Sequence, residues 1–391
     1  MQSVQHLMYT KLAYLPVWKT KRVSRDSYRI NLVLDSLQDK YVFGGVATVI
    51  IFATLFALRT GYVLRIIIRD EEAQPVAYEN FLKSMNIEKP IQVEFFSTYT
   101  AESYNTALEI SEKDIFVATS WWSSYLVNKV CLMENFFHII QESEVVFYNN
   151  GDDAYWCEKV LANPRVKYIV NSRILFEYFQ NSSFENIKHN SIYFEPAFTS
   201  HLYQPNKNAF LPKDTYVLLF YARPNTPRNL YYTGLKLIEE AFQKKVLEKE
   251  KWKIYFAGEN IDPPHFFNGV IPHVLGKMTW EEYSDFLKKV DLGFSLLWTP
   301  HPGYMPMDIA SSGGVALTNT YQKRTNAHYS KNIICGDIIR DDFVDIYFKQ
   351  AVMLAQNPEG RYENYRANNM ETSWEKTFED SFLFVESILG L

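Results

Sequence analysis

Arg29-Ile-Asn-Leu-Val-Leu-Asp35, a loop ending in Phe43-Gly44-Gly45, the apolar run Val46 to Leu58, and Tyr62-Val-Leu-Arg-Ile-Ile-Ile68 follow one another near the start of the chain, and their order decides the fold class. The first and last segments are short and rich in β-branched residues, which reads as strand. The segment between them is continuously apolar, is closed by Arg59, Thr60 and Gly61, and falls short of the roughly 20 residues that a membrane-spanning helix needs. It reads as a helix buried against a sheet. Strand, glycine turn, helix and strand make a β-loop-α-β unit, whose repetition favours a parallel sheet covered on both faces.

The same alternation continues outward. Strands are predicted at Ile91 to Phe96, Ile115 to Thr119, Glu144 to Tyr148, Val166 to Val170 and Ser191 to Phe194. The polar, proline-containing stretch Gln204 to Asp214 reads as an interdomain linker, and a second series starts after it. Tyr216-Val-Leu-Leu-Phe-Tyr221 is a buried-strand run, Asn229 to Glu248 a helix, and Trp252-Lys-Ile-Tyr-Phe-Ala-Gly258 a strand. Thr279 with Glu282 three residues on is a capping box opening a helix to Val290. Leu292 to Trp298 and Val315 to Asn319 are strands, with a short helix starting over Met307 to Ser312. The expected fold is therefore α/β, with an N-terminal arm (1–28), a first Rossmann-like domain (29–206), a second (207–372), and a last helix (373–391) crossing back to the first. Ligands are expected at the C-terminal strand ends or in a cleft between the domains.

Composition bounds the function. In a chain of 391 residues, 16% of them aromatic, with only 15 Gly and 16 Pro, disordered and collagen-like architectures are excluded. Lys plus Arg number 40 against 45 Asp plus Glu, a formal charge of −5, so the excess of cations that nucleic-acid phosphates would demand is missing. The three cysteines, Cys131, Cys157 and Cys335, are odd in number and far apart, which excludes a disulfide framework and points to a reducing, cytoplasmic setting. No secretory signal is read at the N-terminus. Tyr9, Lys11, Tyr14, Trp18, Lys19, Lys21, Arg22 and Arg25 mix basic and aromatic side chains. They suit either peripheral contact with an anionic membrane or an arm packed on its own domain.

Four places carry candidate chemistry. Gly44-Gly45 turns the backbone between strand and helix and would offer amides to an anion or sugar hydroxyl, or be a tight turn only. Tyr221-Ala-Arg-Pro-Asn-Thr-Pro-Arg-Asn229 delivers Arg223 and Arg228 to a strand end before a helix, where two guanidiniums form an anion clamp unless they pair with carboxylates. Lys277, after Val274-Leu-Gly276, would add a third cation or be surface decoration. In Leu297-Trp-Thr-Pro-His-Pro-Gly-Tyr-Met-Pro-Met-Asp-Ile-Ala-Ser-Ser-Gly-Gly314, amides near Gly303 to Met305 would face a diphosphate or sugar. His301 would donate to a phosphate or sugar oxygen, and an ionised Asp308 would accept from vicinal hydroxyls such as those of a ribose. As alternatives, His301 is a rigid surface residue and Asp308 favours only the helix N-terminus. Asp152-Asp153 and Asp341-Asp342 are adjacent acidic pairs and not a D-x-D arrangement, so no metal is expected.

The second half resembles the nucleotide-binding half of retaining GT-B glycosyltransferases of the family 4 type. Arg223 and Arg228 match that family's basic pair in spacing, and Asp308 takes the place of the second Glu of its E-x7-E loop, the first falling at Pro300. Pro300-His-Pro-Gly-Tyr-Met-Pro-Met-Asp308 with Thr318-Asn319 is similar to the P-H-x-S-Y-P-P-L-E and T-N elements of WsaF-type rhamnosyltransferases. Ile140-Gln-Glu-Ser-Glu-Val-Val-Phe-Tyr148 resembles their Q-D-x-E-x-x-F-Y element, with Glu142 where Asp is usual. The resemblance implies two Rossmann-like domains facing a cleft, an acceptor-side first domain and a donor-binding second one. It implies transfer of a deoxyhexose, rhamnose from dTDP-rhamnose, to a glycan or lipid-linked saccharide, with no cofactor beyond the nucleotide-sugar substrate. Arg223, Arg228 and Lys277 would hold the diphosphate, His301, Gly303 and Tyr304 would line the same site, and Asp308 would hold the ribose. Gly44, Gly45, Gln141 and Glu142 would serve the acceptor side. A noncatalytic nucleotide-sugar-binding regulator and a nucleotide-sugar epimerase or phosphorylase are the competing readings.

Overall fold

The computed structural model describes residues 3–11, 18–38, 42, 44–103 and 105–391; Tyr14 and Phe43 lie outside the described residues, as do the side chains of Tyr9 and Lys11. The chain divides into two compact units, Met1–Glu195 with Trp374–Leu391, and Pro196–Ser373. The division falls ahead of the stretch Gln204 to Asp214, because Phe198 N–H donates to Glu371 O at 2.8 Å and Ala197 bridges Glu371, tying this segment into the second unit.

The strands, in chain order, are β1 (Thr20–Arg22), β2 (Arg29–Leu34), β3 (Val63–Ile68), β4 (Val93–Ser97), β5 (Leu108–Ile110), β6 (Asp114–Ala118), β7 (Phe136–Ile140), β8 (Val166–Asn171) and β9 (Ser191–Phe194) in the first unit. Seven of them form one parallel sheet in the order β4-β3-β2-β6-β7-β8-β9, and β1 pairs with β5 in a separate ribbon. The helix Gly45–Thr60 is buried on all sides from Ala47 to Ala57, which explains why its sequence is apolar without a polar face. One side rests on the sheet. The other meets the C-terminal helix Trp374–Leu389, where Phe52 lies 5.1 Å from Phe378 and 5.2 Å from Phe382, and Phe194 of β9 lies 4.9 Å from Phe378. Arg59 at the helix end reaches Glu379 and Glu386 of the same C-terminal helix at 2.9 and 2.7 Å. Within the basic and aromatic arm, Trp18 is buried in this unit's core and Lys19 Nζ donates to Asn105 Oδ1 at 2.8 Å.

One strand expectation is corrected. Glu144 to Tyr148 is not a strand but a 3₁₀ turn, Glu144–Phe147, and the strand is β7, Phe136-Phe-His-Ile-Ile140. The polar His138 in the middle of this run obscures it. It is fully buried, with Nδ1 3.0 Å from Ser124 Oγ and Nε2 3.1 Å from Glu144 Oε1. Glu144 Oε2 in turn accepts the Trp121 N–H at 2.6 Å, at the start of the helix Trp121–Val130. The carboxylate points inward to cap a helix and lie against a histidine, so its own segment turns instead of extending.

The second unit contains β10 (Tyr216–Tyr221), β11 (Trp252–Ala257), β12 (His273–Gly276), β13 (Leu292–Phe294), β14 (Val315–Asn319) and β15 (Ile333–Gly336), all parallel in the order β12-β11-β10-β13-β14-β15. This is the doubly wound order of a Rossmann fold. Phe220 fixes its core, with Phe256 at 5.1 Å and Phe294 at 5.4 Å. The capping box forms as expected, with Thr279 accepting the Glu282 N–H at 3.2 Å and Glu282 accepting the Thr279 N–H at 2.8 Å.

Candidate functional site

In the second unit the chain reverses direction across the sheet between β10 and β13, and the loops leaving their carboxyl ends flank the crevice where doubly wound sheets take ligands. These two loops are pinned together: Trp298 N–H donates to Arg228 O at 2.7 Å, and Asn229 Nδ2 donates to Leu296 O at 3.4 Å. Arg223, directly after β10, is exposed, and its guanidinium lies 5.8 Å over the Tyr221 ring. Arg228 sits half-buried in the 3₁₀ turn Pro227–Asn229 that leads into the helix Tyr231–Gln243. Its charge is felt by His301 of the partner loop, so the fold brings these two candidates together. Lys277 stands apart. It follows the edge strand β12, two strands from β10, roughly 10 Å across the sheet, and its Nζ lies 2.9 Å from Glu259 Oε1.

The loop after β13 is more buried than its proline-rich sequence suggests. His301 is buried, and its Nδ1 accepts the N–H of Gly303 at 3.0 Å. That amide, expected to face a ligand, is thus engaged within the loop. Gly303 makes the contact at φ 74°, a left-handed conformation that favours glycine. Tyr304 is half-exposed, its ring 5.9 Å from the imidazole, and its carbonyl accepts the N–H groups of Met307 and Asp308 at the start of the helix Met305–Ser311. Asp308 is 6% exposed. Burial pushes its carboxyl up to about 7, against the opposing effect of hydrogen bonds from the Tyr283 and Tyr203 hydroxyls. Tyr283 Oη stands 3.1 Å from Asp308 Oδ2. At neutral pH the group is therefore poised between donor and acceptor, where the sequence suggested a plain carboxylate.

Asn319, with two residues that the sequence reading passed over, Arg324 and Asn326, builds the back of this site. Arg324, 3% exposed, donates from Nη2 to Leu297 O at 2.8 Å and to Asn319 O at 2.6 Å. Asn319 exchanges both side-chain hydrogen bonds with the Leu297 backbone, at 2.7 and 3.1 Å, and Asn326 Nδ2 donates to Pro302 O at 2.7 Å. Isolated polar residues after a strand carry no pattern in sequence, and only the Thr318-Asn319 pair was visible there.

The first unit has its own reversal, between β2 and β6. Gly44 opens the buried helix with φ 49° and ψ −115°, and its carbonyl accepts the Thr48 N–H at 3.1 Å. Gln141, after β7, donates from Nε2 to Gly45 O at 2.6 Å. A Cβ on Gly45 would lie 2.6 Å from Gln141 Oε1, so any other residue there would push the Gln141 amide aside. Glu142 is buried, with Oε1 accepting the Ser143 N–H at 3.0 Å. Asp35 escaped the sequence reading. It ends β2 with a carboxylate 39% exposed, held by Arg69 Nη1 at 2.5 Å and by Trp122 Nε1 at 3.0 Å from both oxygens.

Comparison with known proteins agrees with this architecture. The family model of the WsaF N-terminal domain matches residues 29–165, and that of the WsaF C-terminal domain matches residues 216–345. A curated relative, the O-antigen biosynthesis protein RfbC of Myxococcus xanthus, is 25% identical over 210 residues, which is 53% of this chain and 15% of that protein. The chain thus spans only a small part of this relative's length. Among solved structures, the sucrose-phosphate synthase of Thermosynechococcus elongatus superposes with a TM-score of 0.61 at 10% identity over 93% of this chain and 99% of its own. Anabaena HepE in complex with UDP and glucose gives 0.57 at 10% identity, covering 93% and 99%. A TarM variant of S. aureus in complex with fondaparinux, α-GlcNAc-glycerol and UDP gives 0.64 at 10%, covering 91% and 99%. These neighbours share the GT-B fold. With both of its domain models matched in order over more than half of its length, the chain belongs to the WsaF family of GT-B glycosyltransferases.

Proposed function

We propose that this protein transfers a deoxyhexose, rhamnose, from a nucleoside-diphosphate donor, dTDP-rhamnose, to a saccharide acceptor in glycan or polysaccharide synthesis, with retention of configuration and without a metal ion. The observation that carries the reading is the pair of guanidiniums, Arg223 and Arg228, at the reversal point of the second sheet, beside the buried loop of His301 and Asp308. As the glycosidic bond to the diphosphate breaks, negative charge grows on the leaving group. Fixed cations and N–H donors stabilise that charge more than they stabilise the ground state. Arg223 and Arg228 take the diphosphate, with Lys277 joining from the edge strand, while Gly303 and Tyr304 shape the loop around it. Asp308 holds the ribose hydroxyls. In a retaining transfer the leaving phosphate itself receives the acceptor's proton, so the step calls for no separate base. On the acceptor side Gly44, Gly45, Gln141 and Glu142 form the turn, and the half-open carboxylate of Asp35 beside Trp122 accepts from sugar hydroxyls.

The polysaccharide setting is supported by the name of the Myxococcus relative, and a nucleotide-sugar donor by the UDP and glucose bound to Anabaena HepE. A cytoplasmic setting is supported by the free thiols of Cys131, Cys157 and Cys335. Among the described residues no helix is long and apolar enough to cross a membrane. Peripheral attachment remains the proposed route to a lipid-linked acceptor. The test is incubation with a panel of nucleoside-diphosphate sugars and rhamnose-containing acceptors. Release of nucleoside diphosphate with growth of the glycan supports the reading. Tight donor binding with no release under any acceptor would make the protein a regulator, and free isomerised sugar or sugar phosphate would make it an epimerase or phosphorylase. Since no metal is invoked, chelation with EDTA is expected to leave turnover unchanged; loss of turnover restored by a divalent cation would overturn that part.

A further inference from the structure

His301 has its chemistry fixed by its neighbours. A neutral imidazole carries one N–H and one lone pair. Because Nδ1 accepts the Gly303 N–H at 3.0 Å, the ring proton belongs on Nε2. That Nε2–H is buried, on a side chain 8% exposed, and has no hydrogen-bond partner among the described residues. A buried donor left unsatisfied is costly, and a bound acceptor would relieve that cost. Two cations bear on the ring. Arg228 comes from the loop after β10, and Arg324, from the loop after β14, reaches His301 O at 3.5 Å while it grips Leu297 O and Asn319 O. Burial, and then these two charges, hold the imidazole down to about 3. The ring is therefore neutral throughout the working range. A buried N–H beside a guanidinium is matched by an anionic oxygen, because the pair supplies a donor and a positive field together.

Resting on the nucleotide-sugar reading of this site, we propose that His301 is a neutral, single-tautomer hydrogen-bond donor to an oxygen of the bound diphosphate, and that Arg324 is the positioning residue that keeps it so. Arg324 does this in two ways: it crosslinks the strand ends on either side of the loop, and its charge opposes protonation of the ring. His301 then gives the leaving group a hydrogen bond without giving up a proton, and turnover carries no acid limb from this residue.

The test is ¹⁵N NMR of the imidazole in the full chain, with UDP and dTDP as probes. Between pH 5 and 8, His301 is expected to stay in the Nε2–H form, and its Nε2 resonance is expected to shift when either nucleotide binds. His301→Ala should weaken binding of these nucleotides by about tenfold, the equivalent of one unmade hydrogen bond. His301→Gln, whose amide nitrogen reaches the Nε2 position, should recover most of that loss. Arg324→Gln, which removes the crosslink between the strand ends, should move the His301 ¹⁵N resonances and weaken nucleotide binding, whereas Arg324→Lys, which keeps the charge, should do so less. An Nδ1–H tautomer, ordinary titration of the wild-type ring, or an Nε2 signal that ignores a nucleotide whose binding still depends on Arg223 would overturn the inference and leave the glycosyltransferase reading standing. Absence of any nucleotide binding would overturn that reading itself, and this inference with it.

Discussion

Arg223 and Asp308 divide the expected recognition of a nucleotide sugar between charge and hydroxyl. Arg223 is exposed and rests against Tyr221, so Arg223→Ala removes a guanidinium without leaving a buried hole. A charge-assisted contact of about 1.5–3 kcal/mol is lost, so nucleoside-diphosphate affinity should fall by about 10- to 100-fold in calorimetry while acceptor binding stays unchanged. Asp308 predicts a pH dependence. Its folded value of about 7 lies above the roughly 4 of an unfolded carboxyl, so the folded chain holds the extra proton between these limits. Its contribution to stability is complete below about pH 4 and is lost as the pH rises toward 7. Ribose binding through the carboxylate runs the other way, because the acceptor form grows through that range. Affinity for an intact nucleotide sugar, whose diphosphate has no ionisation near neutrality, should therefore rise by up to about tenfold from pH 6 to 8. In Asp308→Asn that slope should vanish; a slope kept in the variant would assign it to another group. Sequence placed Arg223 after the first strand of the second series and Asp308 at a short helix, and the structure has Arg223 after β10 and Asp308 in the helix Met305–Ser311. Sequence could not show that Asp308 is enclosed by Tyr203 and Tyr283, which arrive from distant segments and share no local pattern with it.

The elements that carry these side chains were legible where local chemistry decides them and obscure where tertiary contacts do. The capping box of Thr279 and Glu282 is written in four adjacent residues and formed as read. The resulting helix, Trp280–Leu287, presents Tyr283 to Asp308. Thr279→Ala should therefore cost about 1 kcal/mol in chemical denaturation. It should also alter the pH slope of donor binding, an effect that a cap serving stability alone would not produce. Strand β7 is the opposite case. Its histidine looks wrong for a buried strand until Ser124 is seen to bond its Nδ1 and Glu144 to lie beside its Nε2. The Gly44-Gly45 turn was legible as a turn, but the side chain that packs on its second glycine, Gln141, comes after another strand. Gly45→Ala should displace Gln141 and raise the acceptor KM with little change in donor affinity; an unchanged acceptor KM would detach this turn from the acceptor side.

The two sheets were legible across the chain because parallel β-α alternation repeats over both halves, whereas the order of strands and the role of the last helix depend on contacts remote in sequence. The helix Gly45–Thr60 needs cover on a face that the sheet does not reach, and Phe378 and Phe382 supply it. Phe378→Ala should cost about 3–5 kcal/mol, visible as a large drop in the first unit's melting temperature, while the exposed pairs of Arg59 with Glu379 and Glu386 should contribute little. The chain as a GT-B glycosyltransferase stands or falls on whether the second sheet's reversal point engages a nucleotide sugar for transfer. The most direct measurement is nucleoside-diphosphate release from dTDP-rhamnose, with and without a rhamnose-containing acceptor, in the wild type and Arg223→Ala. Acceptor-dependent release by the wild type, reduced at least tenfold in the variant, is the predicted result. Release from dTDP-rhamnose that is absent with the acceptor, or equal in the two proteins, would contradict it.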